Sequence, residues 1–320
     1  MNNNPYLSFV ITARNDDYGV NFLHRMQVFA NVLLELAEKY LFDAELIVVE
    51  WNPPANKKPL AQALSWPSRL KSIKIRFITV PPEVHNHLPK SDKMQMFEFL
   101  AKNVGVRRAK GEYVLVTNPD IVFNDELIGF LAEKKLLAEC FYRIDRYDVK
   151  KTVPSDISAR EQLIFCEKNW TEVKSLQGDR RRNFPYFNYK QLRSILSQIK
   201  AKFIYDPRSK IHTNASGDFF LAANSQWQKL RGYPELPIPS FIDSYLCFMA
   251  VSSGLSQVIL NGKKRIYHQG HTSYVNRDKL YKEYEGYKER AEEMIKKGQP
   301  WIINDENWGL GKESLEEYEN

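Results

Sequence analysis

The chain has 320 residues, 43% of them hydrophobic, which bounds it as a folded globular protein with enough core for one large domain or two modest ones. Forty-six Lys and Arg against 39 Asp and Glu leave a net charge of +7, yet the basic residues are spread out and no zinc-finger spacing or RNA-recognition signature accompanies them, so nucleic acid is not the expected partner. Three widely spaced cysteines, a start without a charged and apolar leader, and no apolar run near the roughly 18 residues a membrane helix needs predict reduced thiols in a soluble, cytoplasmic protein. The basic balance still leaves room for a peripheral contact with an anionic membrane surface.

Tyr6 to Ala13 is an almost continuous apolar run of strand length, and it ends in the polar tip Arg14-Asn15-Asp16-Asp17. From Val20 to Tyr40, apolar residues recur at three and four (Phe22, Met26, Phe29, Leu33, Leu36, Ala37), which predicts a long amphipathic helix. Glu45 to Glu50 is a second buried strand and Ile73 to Val80 a third, stopped by Pro81-Pro82. This β-α-β order predicts a mostly parallel sheet with helices on its faces. Val84 to Pro89 reads as a loop whose His85 and His87 are not metal ligands, since no third donor lies near in sequence.

A helix is expected over Asp92 to Arg108, then a turn at Gly111, a buried strand from Tyr113 to Thr117 and the polar tip Asn118-Pro119-Asp120. A carboxylate just past the carboxyl end of a buried strand sits where open α/β sheets bind their ligands, which singles out Asp120. A helix over Asp125 to Leu137 follows, and the alternation in Cys140 to Asp148 predicts a strand with one charged face of paired, structural residues. Residues 150–211 are the least legible, with scattered aromatics (Phe165, Trp170, Phe184, Tyr186, Phe187, Tyr189), Arg180-Arg181-Arg182 and a helix expected over Tyr189 to Lys202.

Beyond this, small residues around Gly217 allow close backbone approach to a ligand, with Asp218 next to it. Trp227 to Glu235 reads WQKLRGYPE, and Asp243 opens an apolar helix, where an acid also suits the positive end of the helix dipole. Short strands at Val258 to Leu260 and Arg265 to His268 lead into His268-Gln269-Gly270-His271. A charged helix from Asp278 to Lys297 and a tail with Trp301 and Trp308, expected to pack back on the core, complete the chain.

In this order, Ala101-Lys102-Asn103-Val104-Gly105, Ala109-Lys110-Gly111-Glu112-Tyr113, Asn118-Pro119-Asp120 and Arg231-Gly232-Tyr233-Pro234-Glu235 followed by Asp243 resemble the GT-A nucleotide-sugar glycosyltransferases of the family 2 type. Lys102 stands where that family often has Arg, Asn118 replaces the first acid of its short acidic motif, and Ile242 replaces the Glu before the late Asp. The resemblance implies an α/β, Rossmann-like domain with a mixed, mostly parallel sheet over residues 1–275. Residues 150–211 would be a specificity insertion within it, and 276–320 a C-terminal helical extension.

It further implies an inverting, metal-dependent glycosyltransferase of glycan or polysaccharide assembly that moves a sugar from a nucleoside diphosphate donor to an acceptor hydroxyl of a carbohydrate or glycoconjugate. Thr12, Arg14, Glu50, Lys102, Asn103, Asn118 and Asp120 would meet the nucleotide sugar, with Glu50 on the nucleoside. Asp120, His271 and His268 would hold Mn2+ or Mg2+, His271 being the better placed of the two histidines. Asp218 would orient the acceptor and Asp243 would act as the general base. The alternatives are a sugar-1-phosphate nucleotidyltransferase, which usually has a Gly-rich loop after the first strand where Thr12 to Asp17 has no Gly, and a non-catalytic carbohydrate-binding relative.

Overall fold

A computed structural model of the chain describes residues 4–182, 210–236, 241–272 and 277–320. Among them the strands are β1 (Leu7–Ala13), β2 (Ala44–Trp51), β3 (Ile73–Val80), β4 (Tyr113–Val116), β5 (Ile121–Phe123), β6 (Cys140–Ile144), β7 (Arg146–Val149), β8 (Trp170–Ser175), β9 (Gly178–Arg181), β10 (Phe220–Ala223), β11 (Ser256–Leu260), β12 (Ile266–Gln269) and β13 (Glu316–Glu319). The helices are α1 (Phe22–Lys39), α2 (Leu60–Ala63), α3 (Pro82–Asn86), α4 (Glu98–Arg108), α5 (Asp125–Ala132), α6 (Ala159–Asn169), α7 (Asn224–Leu230), α8 (Ile242–Ser252) and α9 (Arg277–Lys297). The helix expected over Tyr189 to Lys202 and the aromatics Phe184, Tyr186, Phe187 and Tyr189 lie outside the described residues.

Side chains of the central strands alternate between two cores, as a period of two requires. Leu7, Phe9, Ile11 and Ala13 of β1 and Leu46 and Val48 of β2 face one core, built with Met26, Phe29 and Leu33 of α1. Val10, Ile47, Val49 and Trp51 face the other, built with Val104 and Val106 of α4 and with Leu246 and Met249 of α8. Each fully buried side chain of this kind contributes about 1.5–3 kcal/mol relative to exposure, so a sheet covered on both faces is the favoured solution for such runs. The architecture is mixed α/β, with a large, mostly parallel central sheet flanked by helices. Its strand order is β11-β6-β10-β4-β1-β2-β3-β13, with β10 and β13 antiparallel to their neighbours.

The chain runs outward from β1 to β2 and β3, then returns to the other side of β1 as β4. The order therefore reverses between β1 and β4. Crevices for ligands form outside the carboxyl ends of strands at such a reversal.

Several expected boundaries change. The helix expected from Asp92 begins only at Glu98, because Lys90 adopts a left-handed φ of 66° and Asn52 Nδ2 donates to the Gln95 carbonyl (3.1 Å), holding 91–97 as a loop. The helix expected to reach Leu137 stops at Ala132, ahead of Lys134 at φ 56°. The loop expected over Val84 to Pro89 begins as helix α3, where buried His85 Nδ1 accepts from Trp51 Nε1 at 3.0 Å.

The single strand expected over Cys140 to Asp148 is two strands in two sheets. It breaks at Asp145, where β6 leaves the large sheet and β7 enters a smaller one ordered β5-β12-β7-β8-β9. At the C-terminal end, Arg107 and Arg108 of α4 donate to the carbonyls of Glu306, Trp308, Gly309, Leu310 and Glu313, and Trp308 is buried. The division 276–320 thus contains, besides α9, the strand β13 on the edge of the large sheet. Among the described residues, no helix is long and apolar enough to cross a membrane.

Candidate cation and ligand site

The carboxyl ends of β1 and β4 open onto a cavity of about 570 Å³. Thr12 and Arg14 from the first strand end, Asn118 and Asp120 from the second, and His268 and His271 from the late turn all line it. Segment 88–100 forms an apolar wall with Leu88, Met94, Met96 and Phe97.

Register brings the histidines to Asp120. Pairing of β12 with β5 sets His268 opposite Ile121, next in sequence to Asp120, and Gln269 donates its N–H to the Asp120 carbonyl at 3.1 Å. Gly270 donates to Val149 O at 2.8 Å and turns the chain so that His271 reaches the same carboxylate. Gly19 packs beneath that ring, and a Cβ there would lie 2.6 Å from His271 Nδ1, so only glycine fits.

His271 Nε2 is 3.4 Å and His268 Nε2 3.8 Å from Asp120 Oδ2, and Asp120, His268 and His271 offer ligand atoms within 4.8 Å of one another. His271 Nδ1 meets the Thr272 carbonyl at 3.0 Å and His268 Nδ1 lies 3.5 Å from Asp148 Oδ1. With Nδ1 protonated in each ring, both Nε2 lone pairs turn toward Asp120. Asp120 Oδ1 is buried and accepts no hydrogen bond among the described residues. One carboxylate with an orphaned oxygen and two imidazoles turned toward it is a donor set that could hold a divalent metal ion. For His268, burial opposes the charged ring, but the charge of Asp120 and the contact with Asp148 outweigh it and raise the pKa.

Arg25 is the residue the sequence reading missed most plainly. Its signal was a charge on the apolar stripe of α1, between Phe22 and Met26. It donates to the carbonyls of Tyr18, Gly19 and Val20, and its Nε is 3.8 Å from Asp120 Oδ2. Burial lowers its pKa against the opposing charge of Asp120. Glu98 and Glu235 also line the cavity without having been singled out there.

The remaining expected residues sit one layer behind. Lys102 is buried and donates to Glu98 Oε1 (2.6 Å) and to the Gly217 carbonyl (3.0 Å). Asn103 accepts from the Tyr233 N–H and donates to Tyr233 O and to Glu235 Oε1, so it staples the Arg231-to-Glu235 turn to α4. Glu235 also accepts from the Gly309 N–H, and burial raises its pKa above the usual carboxylate range. Glu50 does not line the cavity: its Oε2 accepts from the Leu60 N–H at 3.0 Å, its Oε1 is buried with no hydrogen bond among the described residues, and burial raises its pKa.

Asp218 is buried behind Asn118, which donates to it at 2.7 Å, and Arg146 Nη1 donates to its other oxygen at 2.6 Å. Burial alone would raise the Asp218 pKa, but Arg146, with His268 and Lys102, brings it below the usual value. Asp243, partly buried in the first turn of α8, accepts from Ser216 Oγ and Gly217 N–H, both through Oδ2 and both at 2.8 Å. It holds the turn that carries Asp218 and does not itself line the cavity.

No family model matches the sequence, and no curated protein matches it. Among solved structures, GalNAc-T7 with UDP, GalNAc and Mn2+ is similar at a TM-score of 0.43 and 12% sequence identity, over 84% of this chain and 44% of that one. The chain therefore spans less than half the length of that protein. A likeness at this level assigns neither a residue nor an activity.

Proposed function

We propose that the chain is a metal-dependent glycosyltransferase of GT-A type, acting on a nucleoside diphosphate sugar and an acceptor hydroxyl of a carbohydrate or glycoconjugate. The observation that carries this reading is the Asp120, His268 and His271 group, placed at the carboxyl end of β4 beside the strand-order reversal and open to a cavity of about 570 Å³. A divalent cation held there, Mn2+ or Mg2+, would supply Lewis-acid stabilisation of the leaving diphosphate. The order of sequence motifs supports the same reading independently.

In this proposal Thr12, Arg14 and Asn118 line the donor side of the cavity. Lys102 and Asn103 act from behind the wall, through Glu98, Gly217 and the turn that carries Glu235. Glu50 is the proposed nucleoside contact, from the end of β2, where it also holds the start of α2. Asp218 orients the acceptor side through Asn118. Asp243 is the proposed general base: Ser216 and Gly217 fix one of its oxygens, and the other would take the acceptor proton.

Incubation with a panel of nucleoside diphosphate sugars, with and without EDTA, tests the proposal. Cation-dependent release of a nucleoside diphosphate is the expected result. Pyrophosphate release would mark a sugar-1-phosphate nucleotidyltransferase instead, and no release with retained sugar binding would mark a carbohydrate-binding protein.

A further inference from the structure

We propose that Asp148 is a positioning residue for the cation site and that Arg146 ties it to Asp218, so that one buried charge network sets both sides of the cavity. The inference rests on the cation reading of Asp120, His268 and His271. Its starting point is strand register. Parallel pairing of β7 with β12 sets Asp148 directly opposite His268, so the carboxylate and the imidazole share one face of the small sheet. Asp148 Oδ1 is buried, and among the described residues it lies between His268 Nδ1 at 3.5 Å and Arg146 Nε at 2.8 Å. A carboxylate at Nδ1 selects the tautomer with its lone pair on Nε2, the nitrogen that faces Asp120.

Asp148 is itself held. Arg146 Nη2 donates to Asp148 Oδ2 at 3.3 Å, and Arg146 Nε lies 2.8 Å from Oδ1. The same guanidinium donates through Nη1 to Asp218 Oδ2 at 2.6 Å, and Asp218 Oδ1 accepts from Asn118 Nδ2 at 2.7 Å. A continuous path therefore runs from Asn118 through Asp218, Arg146 and Asp148 to His268. Arginine suits the hub because its planar fork can serve two carboxylates at once, which an ammonium group cannot do with the same geometry.

Charge argues in the same direction. Asp120 faces Arg25, while Arg146 sits between Asp148 and Asp218, on which Lys102 also acts. A cation between Asp120 and the histidines would be attracted by Asp120 directly and by Asp148 from behind His268. Removing Asp148 takes away both the second-layer acceptor and part of the attraction.

The test is Mn2+ affinity of the full chain by titration calorimetry, with the visible spectrum of the Co2+ form and a thermal melt, for wild type, Asp148→Asn and Asp148→Ala. Partners in this outer layer change metal affinity by about 10–100-fold. Asp148→Asn, nearly isosteric and able to accept at Nδ1 without the charge, should weaken Mn2+ about tenfold and shift the Co2+ bands while keeping a cooperative melt. Asp148→Ala should weaken Mn2+ further, and Asp148→Asn decides the matter if the alanine variant fails to fold. A folded Asp148→Asn protein with wild-type Mn2+ affinity and an unchanged Co2+ spectrum overturns the positioning role and leaves the cation site standing. A wild-type protein that binds neither ion overturns the cation reading, and the inference with it.

Discussion

Asn118 Nδ2 donates to Asp218 Oδ1 across 2.7 Å, and Thr117 Oγ1 donates to the Asp218 backbone carbonyl at the same distance. The strand-end turn that carries Asp120 is thereby locked to the turn that carries Gly217. Asparagine at position 118 has a physical reason here: an amide can donate to a buried carboxylate, whereas a second carboxylate would repel it.

The first prediction follows from that contact. Asn118→Asp should place two carboxylates within hydrogen-bond distance, where one of them is forced to keep a proton. A raised folded-state pKa makes the contribution to stability complete in acid and lost as pH rises through that pKa. The variant should melt close to wild type near pH 4 and several degrees lower at pH 8, measured by calorimetry. Equal melting at both pH values would show that the amide donation is dispensable.

Asp120→Ala should abolish the cation dependence of nucleotide binding, because it removes the only carboxylate of the ligand group. His271→Ala should weaken Mn2+ at least about tenfold and more than His268→Ala does, since its Nε2 lies nearer to Asp120. Titration calorimetry with UDP and GDP, with and without EDTA, checks both. Affinities that ignore EDTA in the wild type would remove the cation from the mechanism.

Sequence order and cavity geometry point to different carboxylates for the base. Asp243→Asn should keep donor affinity and lower turnover by roughly 10²–10⁴-fold, the range for loss of a general base, with wild-type product inverted at the anomeric carbon. Glu235→Gln, on the cavity wall and with a pKa raised by burial, should keep most of its turnover. The reverse pattern in kcat would transfer the base to Glu235.

Glu50 leads to a stability prediction. Its raised pKa means that its contribution is complete below the ordinary glutamate range and lost as pH rises through the raised value. Glu50→Gln carries no charge at any pH, so its melting temperature should pull ahead of wild type as pH rises, and the two should converge in acid. Nucleotide affinity measured on the same variant decides whether the residue also meets the nucleoside: an unchanged Kd confines it to the 52–60 loop.

Strands β1 to β4 and helix α1 were legible because their signals are local. A strand buried on both faces must be apolar along its whole length, and a helix on a sheet must repeat apolar residues at three and four, as Phe22, Met26, Phe29 and Leu33 do. The strand-end position of Asp120 followed from the same logic. The loop over 91–97 was not legible, because Met94 and Phe97 keep helical spacing while a left-handed Lys90 and the Asn52 contact hold the backbone otherwise.

By itself the sequence determined the β-α-β order, the apolar faces and the strand tips that carry Thr12, Arg14, Asn118 and Asp120, since each depends on neighbours within a few residues. Only the tertiary structure decided that Arg25 faces Asp120, that Asp148 stands opposite His268, and that Lys102, Asn103, Asp218 and Asp243 lie behind the cavity wall. It also decided that Glu316 to Glu319, an almost wholly charged stretch with no strand pattern, completes the large sheet beside β3. Those relationships join residues far apart in the chain, as Arg76 and Glu317 are, 241 positions apart. Strand register and ion pairing at such separations are settled by which partners satisfy buried charge, a condition that no local pattern of residues records.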